Sequence, residues 1–180
     1  MFKKIFKWSL ISSVVFISLV IGTYIYSPQI VVRGVSKTAI TISRIIGGKS
    51  TYDNKYGVHP FLYEKVRLVL KEAKSEGIDL RVVVGYRSLE TQQKYYEQGR
   101  TSKGGIVTNA PPGLSYHNYG WAVDVVEYTN GSPNWKSKHW NKIGKIGKKH
   151  GLVWGGDWTR LADKPHLQLS IKDILTHCLF

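Results

Sequence analysis

Apolar residues crowd the start of this chain and then give way to periodic patterns. Trp8 to Tyr26 is nineteen residues of mainly Leu, Ile, Val and Phe with scattered serines. As a helix that run is about long enough to cross a bilayer core of some 30 Å. Lys3, Lys4 and Lys7 precede it, and no charge follows until Arg33, an order that places the remainder outside the cytoplasm. The run ends Thr23-Tyr24-Ile25-Tyr26-Ser27-Pro28, without a small-residue cleavage triplet. Residues 1–30 therefore read as an uncleaved membrane anchor, with a cleaved secretory signal as the alternative; the lysine flank argues against a buried core helix. Residues 31–57 mix Val, Ile and basic residues and pass through Gly47-Gly48-Lys49-Ser50. They read as a spacer, either helical or extended, ahead of a domain over 58–180.

Within that domain the periods alternate. Leu62, Val66, Leu70 and Ala73 recur every three to four positions with Gly77 beyond them, which predicts a helix and its stop. Leu80, Val82 and Val84 alternate as a strand. Ser88 is placed to cap a second helix running to about Gln98, with Gly99 in the C-cap position. Residues 100–114 form a loop rich in Gly and Pro, of a length often tied to function. Trp121 to Glu127 reads as a strand with Ala122, Asp124 and Val126 on one face, and His166-Leu167-Gln168-Leu169 as another. Helices are expected from Asn134 or Lys136 to His150, and from Ile171 to Leu179. Short strands interspersed with helices, without regular βαβ alternation, predict an α+β domain with a small antiparallel sheet.

Composition sharpens this picture modestly. The 180 residues suit one domain plus a leader. From Arg33 onward 23 basic residues face 12 acidic ones, a balance of +11. Lys136, Lys138, Lys142, Lys145, Lys148 and Lys149 gather much of it on one expected helix. Such a face suits anionic polymers or lipid head groups, or is simply solvated. Nucleic acid is not expected as a partner, because the leader removes the domain from the cytoplasm. A single cysteine, Cys178, excludes an internal disulfide framework.

Candidate chemistry gathers in two stretches. Ser115-Tyr116-His117-Asn118-Tyr119-Gly120-Trp121-Ala122-Val123-Asp124 is answered some forty residues later by Asp163-Lys164-Pro165-His166. Three metal-binding side chains, His117, Asp124 and His166, with a further carboxylate, Asp163, make up the inventory of a catalytic zinc site with its base. Seven positions separate His117 from Asp124, roughly 23 Å along a strand and about 10 Å along a helix. The chain must reverse between them, and Gly120 is where reversal costs least. Asp124 among valines on a strand needs a partner, and a metal ion is one. Pro165 pushes Lys164 toward an extended conformation, so Asp163 to His166 is not expected to be a helical turn. His59, His139, His150 and His177 read as structural or surface residues.

The run S-x-H-x-x-G-x-A-x-D followed by D-x-P-H resembles the zinc peptidoglycan peptidases. These include vancomycin-resistance-type D-alanyl-D-alanine carboxypeptidases and the L-alanyl-D-glutamate endopeptidases of bacilli and phage endolysins. Gly85-Tyr86-Arg87-Ser88 with Gln92, Gln98-Gly99-Arg100-Thr101 and Trp154-Gly155-Gly156-Asp157-Trp158 resemble the same family. The likeness spans roughly residues 58 to 169. It implies a Hedgehog/DD-peptidase-like fold, one zinc ion on His117, Asp124 and His166, and Asp163 as general base. It further implies Arg87 beside the substrate carbonyl or carboxylate, and Ser115 contacting substrate or orienting His117. Asp163 and Pro165, where carboxypeptidase members tend to carry E-x-W-H, resemble the branch cutting stem peptides between L-Ala and D-Glu. A D-Ala-D-Ala carboxypeptidase is the alternative activity, and an anchored wall-binding module without turnover is the alternative class. Trp121, Trp154 and Trp158 are candidates to line a substrate groove or to pack in the core. The expected location is the bacterial cytoplasmic membrane, single-pass with the domain outside, or secretion if the leader is cleaved.

Overall fold

A computed structural model of the chain describes residues 52–159 and 161–178. The expected anchor and residues 31–51 of the expected spacer lie outside them. Among the described residues no helix is long and apolar enough to cross a membrane.

Helix α1 (Pro60–Ser75) starts where Pro60 presets φ and the His59 ring accepts a hydrogen bond from the Phe61 amide at 3.2 Å. Leu62, Val66, Val69 and Ala73 form its fully buried stripe. Val69 joins the three- to four-residue period as a buried position, and Leu70 packs partly buried against the same core. Strand β1 (Leu80–Val84) follows a turn through Gly77, whose φ of +76° suits glycine. Helix α2 (Leu89–Glu97) opens on Ser88, whose hydroxyl accepts from the Thr91 amide at 3.2 Å. A 3-10 turn, Tyr116–Tyr119, then leads into β2 (Ala122–Thr129). Beyond it come β3 (Ser132–Pro133), helix α3 (Trp140–Lys149), β4 (Val153–Trp154), β5 (His166–Gln168) and helix α4 (Ile171–His177). Upstream of α1, the Asn54 side chain donates to the Val58 carbonyl at 2.7 Å, and the Tyr56 carbonyl accepts from the Tyr86 amide at 2.9 Å.

The strands form one antiparallel sheet in the order β1-β2-β5-β4, with β3 paired to β2 as a hairpin. This is the α+β architecture expected from the mixed periods. Strand β3 was not anticipated, although Asn130 and Gly131 turn the chain at φ +52° and +78°, the conformation that Asn-Gly dipeptides supply to tight hairpins. Helix α3 also starts later than its apolar period implied. The Asn134 side chain accepts from the Lys136 amide, and the Asn134 carbonyl from the Ser137 amide, both at 3.2 Å. The Ser137 hydroxyl is spent on Glu127 and on the His139 amide. Polar side chains that satisfy local backbone in a turn compete with the helix.

The core lies where α1 and α3 cover one face of the sheet. Two glycines of α3 permit the close approach. A Cβ on Gly147 would stand 2.6 Å from Leu167 Cδ2, and one on Gly144 would overlap the Trp154 indole. Three lysines of the basic helix meet carboxylates: Lys142 with Glu76 at 2.6 Å, Lys148 with Asp157 at 2.7 Å and Lys149 with Glu72 at 2.9 Å.

Candidate active site

Strand register builds the centre of the site. Val123 of β2 pairs with Leu167 of β5, and both are fully buried. One step on, Asp124 pairs with His166. Since side chains alternate across a strand, Asp124 and His166 emerge side by side on the face opposite the helices. His117 arrives from the 3-10 turn, which Gly120 closes at φ +66°, so the reversal falls on the expected glycine. Two motifs lock there. The Arg87 amide donates to the His117 carbonyl at 3.0 Å, and the Asn118 side chain donates to the Arg87 carbonyl at 2.8 Å.

The three expected ligands converge. His117 Nε2 and Asp124 Oδ1 are 3.2 Å apart, His166 Nδ1 and Asp124 Oδ1 3.1 Å, and the two ring nitrogens 3.2 Å. Atoms bound about 2.0–2.2 Å from one ion at tetrahedral angles stand roughly 3.3–3.5 Å apart, so this triangle fits zinc with little adjustment. His117 and His166 are buried, and Asp124 is nearly so. Burial alone would raise the Asp124 carboxyl, but hydrogen bonds from both imidazoles outweigh it and hold the group far below the usual carboxylate range. Burial likewise works against a charged His166, and its bond to Asp124 reverses the direction, leaving it raised.

Around the triangle lies a groove of about 850 Å³, within the range of ligand clefts. Asp163, Arg87 and Ser115 all line it. Asp163 is half-buried; burial and the neighbouring Asp124 carboxylate raise its acid group, against His166, His117 and Arg87. Arg87 donates to Gln92 Oε1 at 2.9 Å and reaches Asp124 Oδ2 at 3.4 Å. Its Nε is buried without a hydrogen-bond partner among the described residues. Ser115 is buried at the start of the 3-10 turn, where its carbonyl accepts from the Asn118 amide at 3.0 Å. Of the three tryptophans considered for the groove, only Trp158 lines it, with its ring centroid 5.1 Å from that of His166. Trp154 is buried and donates to the Lys164 carbonyl at 2.7 Å, and Trp121 stacks on Tyr119.

Some features escaped the sequence reading. Trp135, more than half exposed, lines the groove from the segment after β3 and carries no motif that would mark it. The Gly85 carbonyl accepts from His117 Nδ1 at 2.9 Å, a main-chain role that composition cannot signal. Gln168 lies 3.0 Å from His166 Nε2; here a signal existed, since position i+2 on a strand shares a face with position i.

Comparisons with known proteins bear on the family of the chain. A family described as D-alanyl-D-alanine carboxypeptidase matches residues 108–169. The peptidoglycan L-alanyl-D-glutamate endopeptidase CwlK of Bacillus subtilis (strain 168) is 38% identical over 122 residues, covering 62% of this chain and 73% of that protein. The chain belongs to this peptidoglycan metallopeptidase family. The L-alanyl-D-glutamate peptidase of Listeria phage A118 is 29% identical over 109 residues, 59% of this chain but only 36% of the phage protein. In fold, the chain is similar to VanYB in complex with D-alanine-D-alanine, with a TM-score of 0.51 at 19% identity, covering 70% of this chain and 84% of that one. The family is zinc-dependent, and the His117, Asp124 and His166 donors suit that metal.

Proposed function

We propose that this protein hydrolyses peptide bonds in the stem peptides of bacterial cell wall, as an L-alanyl-D-glutamate endopeptidase. The convergence of His117 Nε2, Asp124 Oδ1 and His166 Nδ1 on the floor of a groove walled by Asp163 and Arg87 carries this reading. When bound by His117, Asp124 and His166, a zinc ion supplies a Lewis acid that polarises the scissile carbonyl and acidifies water. Asp163 then takes a proton from the attacking water and returns it to the leaving amine. Its raised acid group suits a residue that must both accept and release that proton. Arg87, fixed by Gln92, stabilises negative charge developing on the carbonyl oxygen. Ser115 contributes to the groove wall beside His117 and contacts substrate there.

The choice of bond rests on the likeness to CwlK and on Asp163-Lys164-Pro165 preceding the last ligand. Beyond the metal centre the groove is lined by Tyr95, Val107, Trp135 and Leu161. A D-alanyl-D-alanine carboxypeptidase is the second reading, favoured by the family description matched over residues 108–169. End-group analysis of digested wall separates the two. New amino-terminal D-Glu supports the endopeptidase, and released free D-Ala supports the carboxypeptidase. In the same assay Asp163→Ala is expected to lose at least about a hundredfold in hydrolysis while keeping its zinc and its affinity for wall. No product from any wall type by the zinc-loaded protein would overturn the enzyme reading in favour of a binding module.

For location, we propose a single-pass anchor at residues 1–30 with the domain on the outer side of the cytoplasmic membrane. The support is the lysine-flanked apolar run Trp8 to Tyr26. Fractionation of cells expressing the full chain tests it, and recovery of all protein in the medium would overturn it. Against binding of anionic wall polymers or lipid head groups stands the pairing of three of the six clustered lysines with carboxylates.

A further inference from the structure

Each imidazole of the proposed metal centre has two nitrogens, and only the one without a proton can ligate. The fold presents opposite nitrogens from its two histidines. His117 turns Nε2 toward the centre and gives Nδ1 to the Gly85 carbonyl at 2.9 Å. A backbone carbonyl can only accept, so the main chain dictates that the His117 proton sits on Nδ1 and leaves Nε2 bare.

His166 is reversed, with Nδ1 facing the centre and Nε2 3.0 Å from Gln168 Oε1. The strand sets this contact. In β5 the side chains of positions 166 and 168 share one face, while Leu167 between them is fully buried on the other. Gln168 is itself held by pairing with Ala122 on one side and Val153 on the other. The Asp124 carboxylate 3.1 Å from His166 Nδ1 favours a proton on that nitrogen, the wrong one for ligation. An acceptor on the far side of the ring is what shifts the balance.

We propose that Gln168 is a positioning residue: its amide oxygen holds the proton of His166 on Nε2 and so leaves Nδ1 free to bind the metal. This rests on the reading of His117, Asp124 and His166 as the zinc site. The opposite amide orientation would present N–H groups to Nε2, force the proton onto Nδ1 and oppose coordination. Groups of this kind, once removed, typically weaken metal binding ten- to a hundredfold.

The test compares zinc affinity, by competition with a chromophoric chelator, for the wild-type protein, Gln168→Leu and Gln168→Glu. Gln168→Leu is expected to bind zinc about ten- to a hundredfold more weakly, and Gln168→Glu, which keeps an acceptor, to regain most of that loss. Equal unfolding midpoints of wild type and Gln168→Leu in excess chelator would show that the loss is not a general loosening. Long-range ¹H–¹⁵N spectra of the zinc-free wild type, labelled in histidine and recorded at alkaline pH where the ring is neutral, are expected to show His166 protonated at Nε2. Zinc affinity of Gln168→Leu within twofold of wild type, or a His166 protonated at Nδ1, overturns the proposal. Should Gln168→Leu fail to fold, the wild-type spectrum alone decides. A wild type that binds no zinc overturns the site assignment instead, a distinct outcome.

Discussion

Gly144 offers a test in which local propensity and tertiary packing predict opposite signs. On propensity alone, Gly144→Ala in the middle of α3 stabilises the helix by about 1 kcal/mol. The structure argues otherwise. An added Cβ would lie 2.6 Å from Trp154 Cε2 and closer still to Cδ2 and Cε3, where carbon atoms normally meet at about 3.5–4.0 Å. The ring must therefore move by roughly 1 Å, and it has little room. On its other side it meets Gly156, whose own added Cβ would overlap it, and its Nε1 is tied to the Lys164 carbonyl at 2.7 Å. Overpacking of this kind costs about 1–3 kcal/mol, and a ring wedged on two sides belongs at the upper end. Set against the gain in propensity, a net loss of about 1–2 kcal/mol is expected, or roughly 4–8 °C in Tm.

The activity should fall further than the stability, because the Lys164 carbonyl belongs to the turn that carries Asp163 and delivers His166. A displacement of that order commonly costs ten- to a hundredfold in rate. Urea unfolding and product release from purified wall, measured on the same preparation, read both quantities. Trp154→Phe in the Gly144→Ala background should recover part of the loss, giving a coupling of about 1 kcal/mol between the sites. A Gly144→Ala protein as stable as the wild type, or more so, refutes the packing argument.

Further outcomes follow from the polar interior. Gln92 is fully buried, accepting from Arg87 and donating to the Ala110 carbonyl at 2.8 Å. Gln92→Leu strands both partners and should cost about 1–3 kcal/mol in urea unfolding; because Arg87 loses its anchor, kcat should fall more than KM rises. Burial raises the Glu127 carboxyl, but hydrogen bonds from Ser137 and His139 prevail and leave it below its ordinary value. A carboxyl lowered in the folded state adds stability above its unfolded pKa, about 4.3, and that contribution is lost as pH falls through the lower folded value. Glu127→Gln should therefore be less stable than wild type at pH 7, with the gap narrowing below about pH 4. An unchanged gap across that range contradicts the assignment. Removing zinc with a chelator should lower the thermal midpoint, and restoring zinc should recover it; in His117→Ala the two curves should coincide.

What the sequence could reveal depended on how local each feature is. Helix α1, strand β1 and the Ser88 cap were legible because apolar spacing and capping chemistry act within a few residues. The start of α3 was not, since Ser137 is drawn into a turn by Glu127, ten positions back on strand β2. The Asn130-Gly131 hairpin carried a local signal that the helical period of the following lysines obscured.

The site divides in the same way. Motif spacing named His117, Asp124, His166 and Asp163, and the need for reversal between the first two pointed to Gly120. Covalent geometry suffices for that inference, because a ligand set must fit around one ion whatever the rest of the fold. Only the tertiary structure decided that Asp124 and His166 sit opposite each other across β2 and β5, which ring nitrogen each histidine offers, and that Gln168 and Gly85 stand behind them. It also sent Trp154 into the core and Trp158 into the groove, though both come from one short motif. Those outcomes hang on strand register and on which face of the sheet the helices cover, and both are fixed by contacts between residues far apart along the chain.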